Sequence, residues 1–329
     1  MKFRKTLSSI AAVLLLFIPT TTPSFATNKT LTKLVKVVAA RPTLLTNLSA
    51  APGDQISSII ATSTAIAYVG TMENSAAAPY TAPQIGGTDG FIAVIDSTGA
   101  PIWDLRLGTQ QDDIATAVAR DKAGNFWVVG VTAKPVATPI TPTTSDNQGI
   151  NVDGVVVDPV TTPNSSLNQL VVWKVDVNGA ITATYIYDTF GVILPSAITY
   201  SGSKFIITGL VGSTIAQQGF KVEVDSNGQF SKFVSDKTPI KSASGVLVLK
   251  AGAGTIKFFN ASTSILGIKN WKPKSSTPVL VGYSRSGAIT SAYSLQGKVI
   301  SVTWEAGIGF VALSELGTGY GITIIDALA

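Results

Sequence analysis

The side chains in this sequence that could do chemistry are carboxylates standing near aromatics. Asp112, Asp113, Asp153 and Asp158, together with Asp89, Asp146 and Glu315, fall in or beside turn-rich segments that also carry Tyr80, Trp271 and Tyr320. Carboxylate oxygens can ligate a hard cation such as calcium, and flat rings can lie against a sugar face. Two carboxylates alone also suffice for glycoside hydrolysis. The 329 residues contain no His and no Cys. That removes the Ser-His-Asp arrangement, thiol catalysis, disulfides and the commonest transition-metal ligands. No EF-hand spacing is present, so no cofactor is expected, with calcium the one candidate. For each Asp the structural alternative is a side chain that ends a turn and caps loop amides.

What must position these residues is a set of short strands. Residues 86–132 hold four apolar runs with turn chemistry between them. Phe91 to Ile95 is apolar at every position and stops at Asp96-Ser97-Thr98-Gly99, a tight turn. Residues 102–107 alternate at period two, which suits an outer strand with one buried face. Residues 114–119 and 126–130 flank a second turn, Asp121-Lys122-Ala123-Gly124-Asn125. Two hairpins are the minimum reading.

The order Gly86, Gly87, Asp89, Phe91, Asp96, Gly99, Trp103, Leu107, Gly108, Asp113, Asp121, Gly124, Asn125, Gly130, Thr132 resembles the bacterial β-propeller repeat family called SBBP. The match spans about one repeat length. What the resemblance implies is a ring of four-stranded antiparallel blades, in proteins mostly exported by bacteria, with no single shared activity. Function would then reside in the loops.

Degraded copies of both hairpins recur. The first appears at residues 56–70, 114–130, 195–209, 244–260 and 299–314; the second at 90–108, 170–187, 220–234 and 279–295. The fifth copy of the second hairpin is split. Residues 320–326 read as its strand three, and residues 42–48 as an orphan strand four that closes the ring without a free edge. The expected fold is therefore all-β, a five-bladed propeller over residues 42–329. Six or seven blades follow if residues 31–39 begin another. Loops between strands two and three, including an insertion at 133–168, share one face with the connections between blades. The Asp-x-x-Gly turns lie on the other.

Residues 1–26 read as a secretory signal peptide: Lys2, Arg4 and Lys5, an apolar core at 10–18 too short to span a bilayer, then Ser24-Phe25-Ala26. Residues 27–41 form an N-terminal segment. Loss of the three signal cations takes the formal net charge from +5 to +2. Lys33/Lys36 and Lys269/Lys272/Lys274 are thin as basic clusters, so no nucleic-acid partner is expected. With 13% charged residues and a mean hydropathy of +0.36, the chain suits strands buried on both faces. It shows no second span for membrane insertion.

The expectation for function is a secreted or surface-located, non-catalytic binding module. Its glycan or protein ligand would sit on the long-loop face near Asp112, Asp113, Asp153, Asp158 and Trp271. A carboxylate-only carbohydrate hydrolase and a structural envelope component are the alternatives. Acid-free inner strands, such as residues 114–119, count against the hydrolase.

Overall fold

The computed structural model describes residues 34–73, 80–133, 167–189, 191–212, 217–236, 247–251, 254–269, 271–273, 276–317 and 319–325. Among these every regular element is a strand. The described chain enters through β1 (Val35–Lys36), β2 (Val38–Ala39) and β3 (Pro42–Leu48). Blade 1 follows as β4 (Gln55–Ala61), β5 (Ala65–Met72), β6 (Asp89–Asp96) and β7 (Pro101–Leu107). Blade 2 is β8 (Asp113–Arg120), β9 (Phe126–Thr132), β10 (Gln169–Val175) and β11 (Ile181–Asp188). Blade 3 is β12 (Val192–Ser201), β13 (Lys204–Gly212), β14 (Gln217–Asp225) and β15 (Val234–Asp236). Blade 4 is β16 (Leu247–Ala251), β17 (Gly254–Ala261), a short β18 (Ile268–Lys269) in its loop, β19 (Thr277–Tyr283) and β20 (Ile289–Ser294). Blade 5 has β21 (Lys298–Glu305), β22 (Gly309–Leu316) and β23 (Gly319–Ile325), and takes β3 as its fourth strand. The result is a five-bladed β-propeller.

The two middle strands of blades 1 and 2 are largely apolar on both faces because each face meets a different core. In β6, Phe91, Ala93 and Ile95 pack toward blade 5 with Leu313 and Ile322. The intervening Ile92 and Val94 pack toward blade 2 with Val128 and Trp173. In β9 the alternation repeats, with Trp127 and Val129 on one side and Phe126 and Val128 on the other. Edge strands have no such second core, so β11 leaves Ile181 and Ile186 exposed.

Three of the turns between third and fourth strands share one chemistry. Asp96 Oδ1 accepts from the Thr98 and Ala100 amides at 2.8 and 3.0 Å. Asp176 and Asp225 repeat this at the same spacing. Gly99 supplies the left-handed backbone that the fourth turn residue needs (φ 90°).

The ring closes by antiparallel pairing of β23 with β3, from Tyr320↔Leu48 to Ile325↔Pro42. Ser301 and Thr303 of β21 accept from the Ile59 and Ala61 amides of β4, at 3.3 and 3.4 Å, across the same seam. Residues 35–39 do not begin another blade. β1 pairs in parallel with β18, and β2 in parallel with β20, as a strap on the outer edge of blade 4. Val35 and Val37 pack there against the apolar cluster around Ile268 and Val279.

Candidate functional site

Loop carboxylates at the junction of blades 1 and 2 are held by loop amides. Asp113, the first residue of β8, is fully buried. It accepts from Thr109 N at 2.7 Å and Thr109 Oγ1 at 3.1 Å. Burial raises its carboxyl above the ordinary range; hydrogen bonds from Thr132 and Thr109 oppose this, and the Asp89 charge adds to it. Asp89, the first residue of β6, is equally buried, accepts from the Ile85 and Gly86 amides at 2.9 and 2.8 Å, and lies 3.9 Å from the Arg106 guanidinium. Asp112 accepts from Thr88 N at 3.2 Å, and its carbonyl accepts from Ala133 N at 3.0 Å. These contacts stitch the two-to-three loop of blade 1 to the start of blade 2. Among the described residues no three or more carboxylates gather as a cation site.

The other expected site residues are dispersed. Asp153 and Asp158 lie outside the described residues. Trp271 follows β18 and rests half-buried on the apolar cluster beneath the strap of blade 4, away from Asp112 and Asp113 on blade 2. Tyr80 is a core residue, with its ring 6.3 Å from Tyr68 and 5.3 Å from Phe91. Burial raises both phenols, that of Tyr68 to about 12.

Among the described residues, one recessed feature of the long-loop face with room for a ligand is a cleft of about 830 Å³ at the channel mouth. Gln55 and Ser57 of β4, Asn260 of β17, Lys298 of β21, Glu315 of β22 and Tyr320 of β23 contribute to it. Bulges between Ile56 and Ser58 and between Val299 and Ser301 interrupt the inner strands at this end. A bulge re-aims side chains at a rim, which here serves the cleft. Lys298 forms an ion pair with Glu315, and Asn260 Nδ2 donates to Val299 O at 3.4 Å. The ion pair is solvent-exposed, so it holds its partners by only about 0–1 kcal/mol and leaves them free to exchange. Tyr320 also lines an adjoining hollow of about 370 Å³ with Asn47, Leu48 and Leu316. Glu315 and Tyr320 stand out in the sequence; Gln55, Ser57, Asn260 and Lys298 do not. Their signal is positional, since each sits at the long-loop end of its strand.

Among the described residues the inner strands β4, β8, β12, β16 and β21 carry only Asp113 and Glu305 as acids. Inner strands all run away from the long-loop face, so these two stand near opposite mouths. Over an eight-residue strand that is roughly 20 Å. Glycoside-cleaving carboxylates stand about 5–9.5 Å apart.

No protein-family model and no curated protein matches the chain. Among solved structures, it is similar to the parainfluenza virus 5 hemagglutinin-neuraminidase ectodomain at 8% identity and a TM-score of 0.44, over 90% of this chain and 85% of that one. A Bombyx mori GH32 β-fructofuranosidase in complex with sucrose gives 9% and 0.42, over 87% and 62%. A Clostridium thermocellum α-L-arabinofuranosidase gives 8% and 0.31, over 77% and 95%. Likenesses this distant say nothing of activity.

Proposed function

We propose that this chain is a secreted, non-catalytic binding propeller of the SBBP-repeat type, taking a glycan or protein ligand on its long-loop face with the channel-mouth cleft as the seat. The observation that carries the reading is the cleft itself: about 830 Å³ of recessed space, with Tyr320 beside amide, hydroxyl and ion-paired groups. Its size is that of a ligand pocket, and its mix of one ring with a few convergent polar groups fits saccharide or peptide recognition. The exposed Asp112, just before β8 of blade 2, would meet only a ligand that overran the cleft; the enclosed Asp113 supports the loop beneath, and Trp271 sits with the outer edge of blade 4. Neither a metal nor a catalytic pair is needed for this role. Secretion is inferred from residues 1–26.

The test is a thermal-shift panel of neutral oligosaccharides, run with calcium and with chelator, followed by titration of the ligand that raises the midpoint. Tyr320→Ala and Asn260→Ala should each weaken binding by about tenfold, equivalent to about 1.4 kcal/mol. If both bind like the unmodified protein, the cleft is not the seat.

A further inference from the structure

Two basic stretches far apart in the sequence meet in the fold. β1 and β18 pair in register Lys36↔Lys269, which sends both side chains from neighbouring strands to the same side. Like charges so placed repel. Both lysines line a cleft of about 640 Å³ on the outer edge of blade 4, with Val37, Ala39, Trp271 and Ser294. Trp271 is anchored on the apolar cluster of Val35, Val37 and Ile289 and remains partly exposed; Lys272 beside it is exposed. Among the described residues, no carboxylate forms an ion pair with Lys36, Lys269 or Lys272.

The composition of the blade explains why. Residues 237–304 hold nine Lys and Arg and no Asp or Glu, and no acid precedes Asp54. Blade 4 and its strap are thus cut from acid-free sequence, in a chain with 19 acids elsewhere. Among the described residues, the lysines of this edge thus stand without an ion-paired acid, which makes the local charge positive.

We propose that this edge of blade 4 binds an acidic glycan. Lys36, Lys269 and Lys272 would engage carboxylate, sulfate or phosphate groups borne on the sugar rings, and the Trp271 indole would pack against a ring face. A single ring among several amines favours a saccharide over single-stranded nucleic acid, which uses successive aromatic platforms. The site is separate from the channel mouth, so either can fail without the other.

Dextran, carboxymethyl-dextran and dextran sulfate share one backbone and differ in charge. Titrated against the full chain at about 20 and 200 mM salt, both anionic polymers should bind and neutral dextran should not. The double variant Lys36→Glu/Lys269→Glu, which alters only exposed side chains, should lower affinity at least tenfold at the same melting temperature. Trp271→Leu keeps apolar packing under the strap and should weaken binding severalfold, including at the higher salt. Tyr320→Ala should leave it unchanged. The proposal is overturned if neither anionic polymer binds, or if both bind the lysine variant as tightly as the unmodified protein. It is equally overturned if a thymidine oligonucleotide binds more tightly than the polymers in a Trp271-dependent way. A salt-sensitive dimer abolished by the lysine substitutions would assign the surface to a second copy of the chain instead.

Discussion

Asp121 accepts from Asn125 N at 2.9 Å, Asn125 Nδ2 at 2.8 Å and Trp127 Nε1 at 3.0 Å. Burial works against its charge, but the hydrogen bonds from Asn125, Trp127 and Ala123 outweigh it and hold the carboxyl below its ordinary range. Trp127 is buried and stacks on Phe205 at 4.3 Å. Asp121→Ala would strand the indole N–H, and we expect a loss of about 1–3 kcal/mol in denaturant unfolding. Because its folded pKa lies below the unfolded value, Asp121 contributes stability above about pH 3.9. That contribution is lost as pH falls through the lowered folded value. Asp121→Asn should therefore flatten the acid limb of the melting temperature against pH. Asp113 has the opposite sign, since its raised folded pKa makes ionisation a cost to the fold. Residue type and turn position are enough to place the Asp-x-x-Gly carboxylates on their turn amides. For Asp112 and Asp113 they are not: the amide on Asp112 comes from Thr88, twenty-four residues away, and although Thr109 binds Asp113 locally, burial of a loop Asp leaves no mark on its neighbours.

At the scale of the strand, one packing rule recurs. Gly70, Gly130 and Gly209 each lie in a second strand where an added Cβ would meet the backbone carbonyl of Gln55, Ile114 or Leu194 at 1.9–2.2 Å. Each also faces an aromatic of the third strand, Phe91, Trp173 or Phe220, at 2.8 Å. In blade 5 the aromatic is absent, Gly321 stands on the third strand, and Ser314 is accommodated on the second. Gly130→Ala must push a backbone or a Trp aside, and a destabilisation of about 1–3 kcal/mol is expected by thermal melting. A second rule links blades: Gly179 lies under the Trp103 ring and Gly228 under Tyr185, each a turn of one blade against the outer strand of the blade before. The third strands and the turns are legible in sequence, because a doubly buried strand and a glycine turn write themselves into consecutive residues. The strap is not. Its strands are two residues long and pair in parallel with partners more than two hundred residues away, too short for any period to show. Removal of residues up to Arg41 should leave the propeller folded and lower its melting temperature, as Val35 and Val37 uncover Ile268 and Val279. Loss of folding on that truncation would mean the strap is part of the core.

For the whole molecule, the split blade was legible because strand three without a strand four, and strand four without a strand three, stand at opposite ends of an otherwise regular repeat. The uneven charge of the ring was not, since a net value averages over blades that the fold keeps apart. Removal of residues up to Leu48 would strip the partner from β23 and expose one edge of the closing blade. We expect that variant to associate or precipitate at concentrations where the unmodified protein is monodisperse by light scattering. The same closure sets the order of events in time. β3 precedes every complete blade, yet its partner β23 follows all the strands of blades 1–4, so the ring cannot lock until the chain between them is present. Contacts spanning so much sequence form slowly. Until β23 is made, β3 has no strand to pair with, so the closing blade is completed only after the strands of the other four.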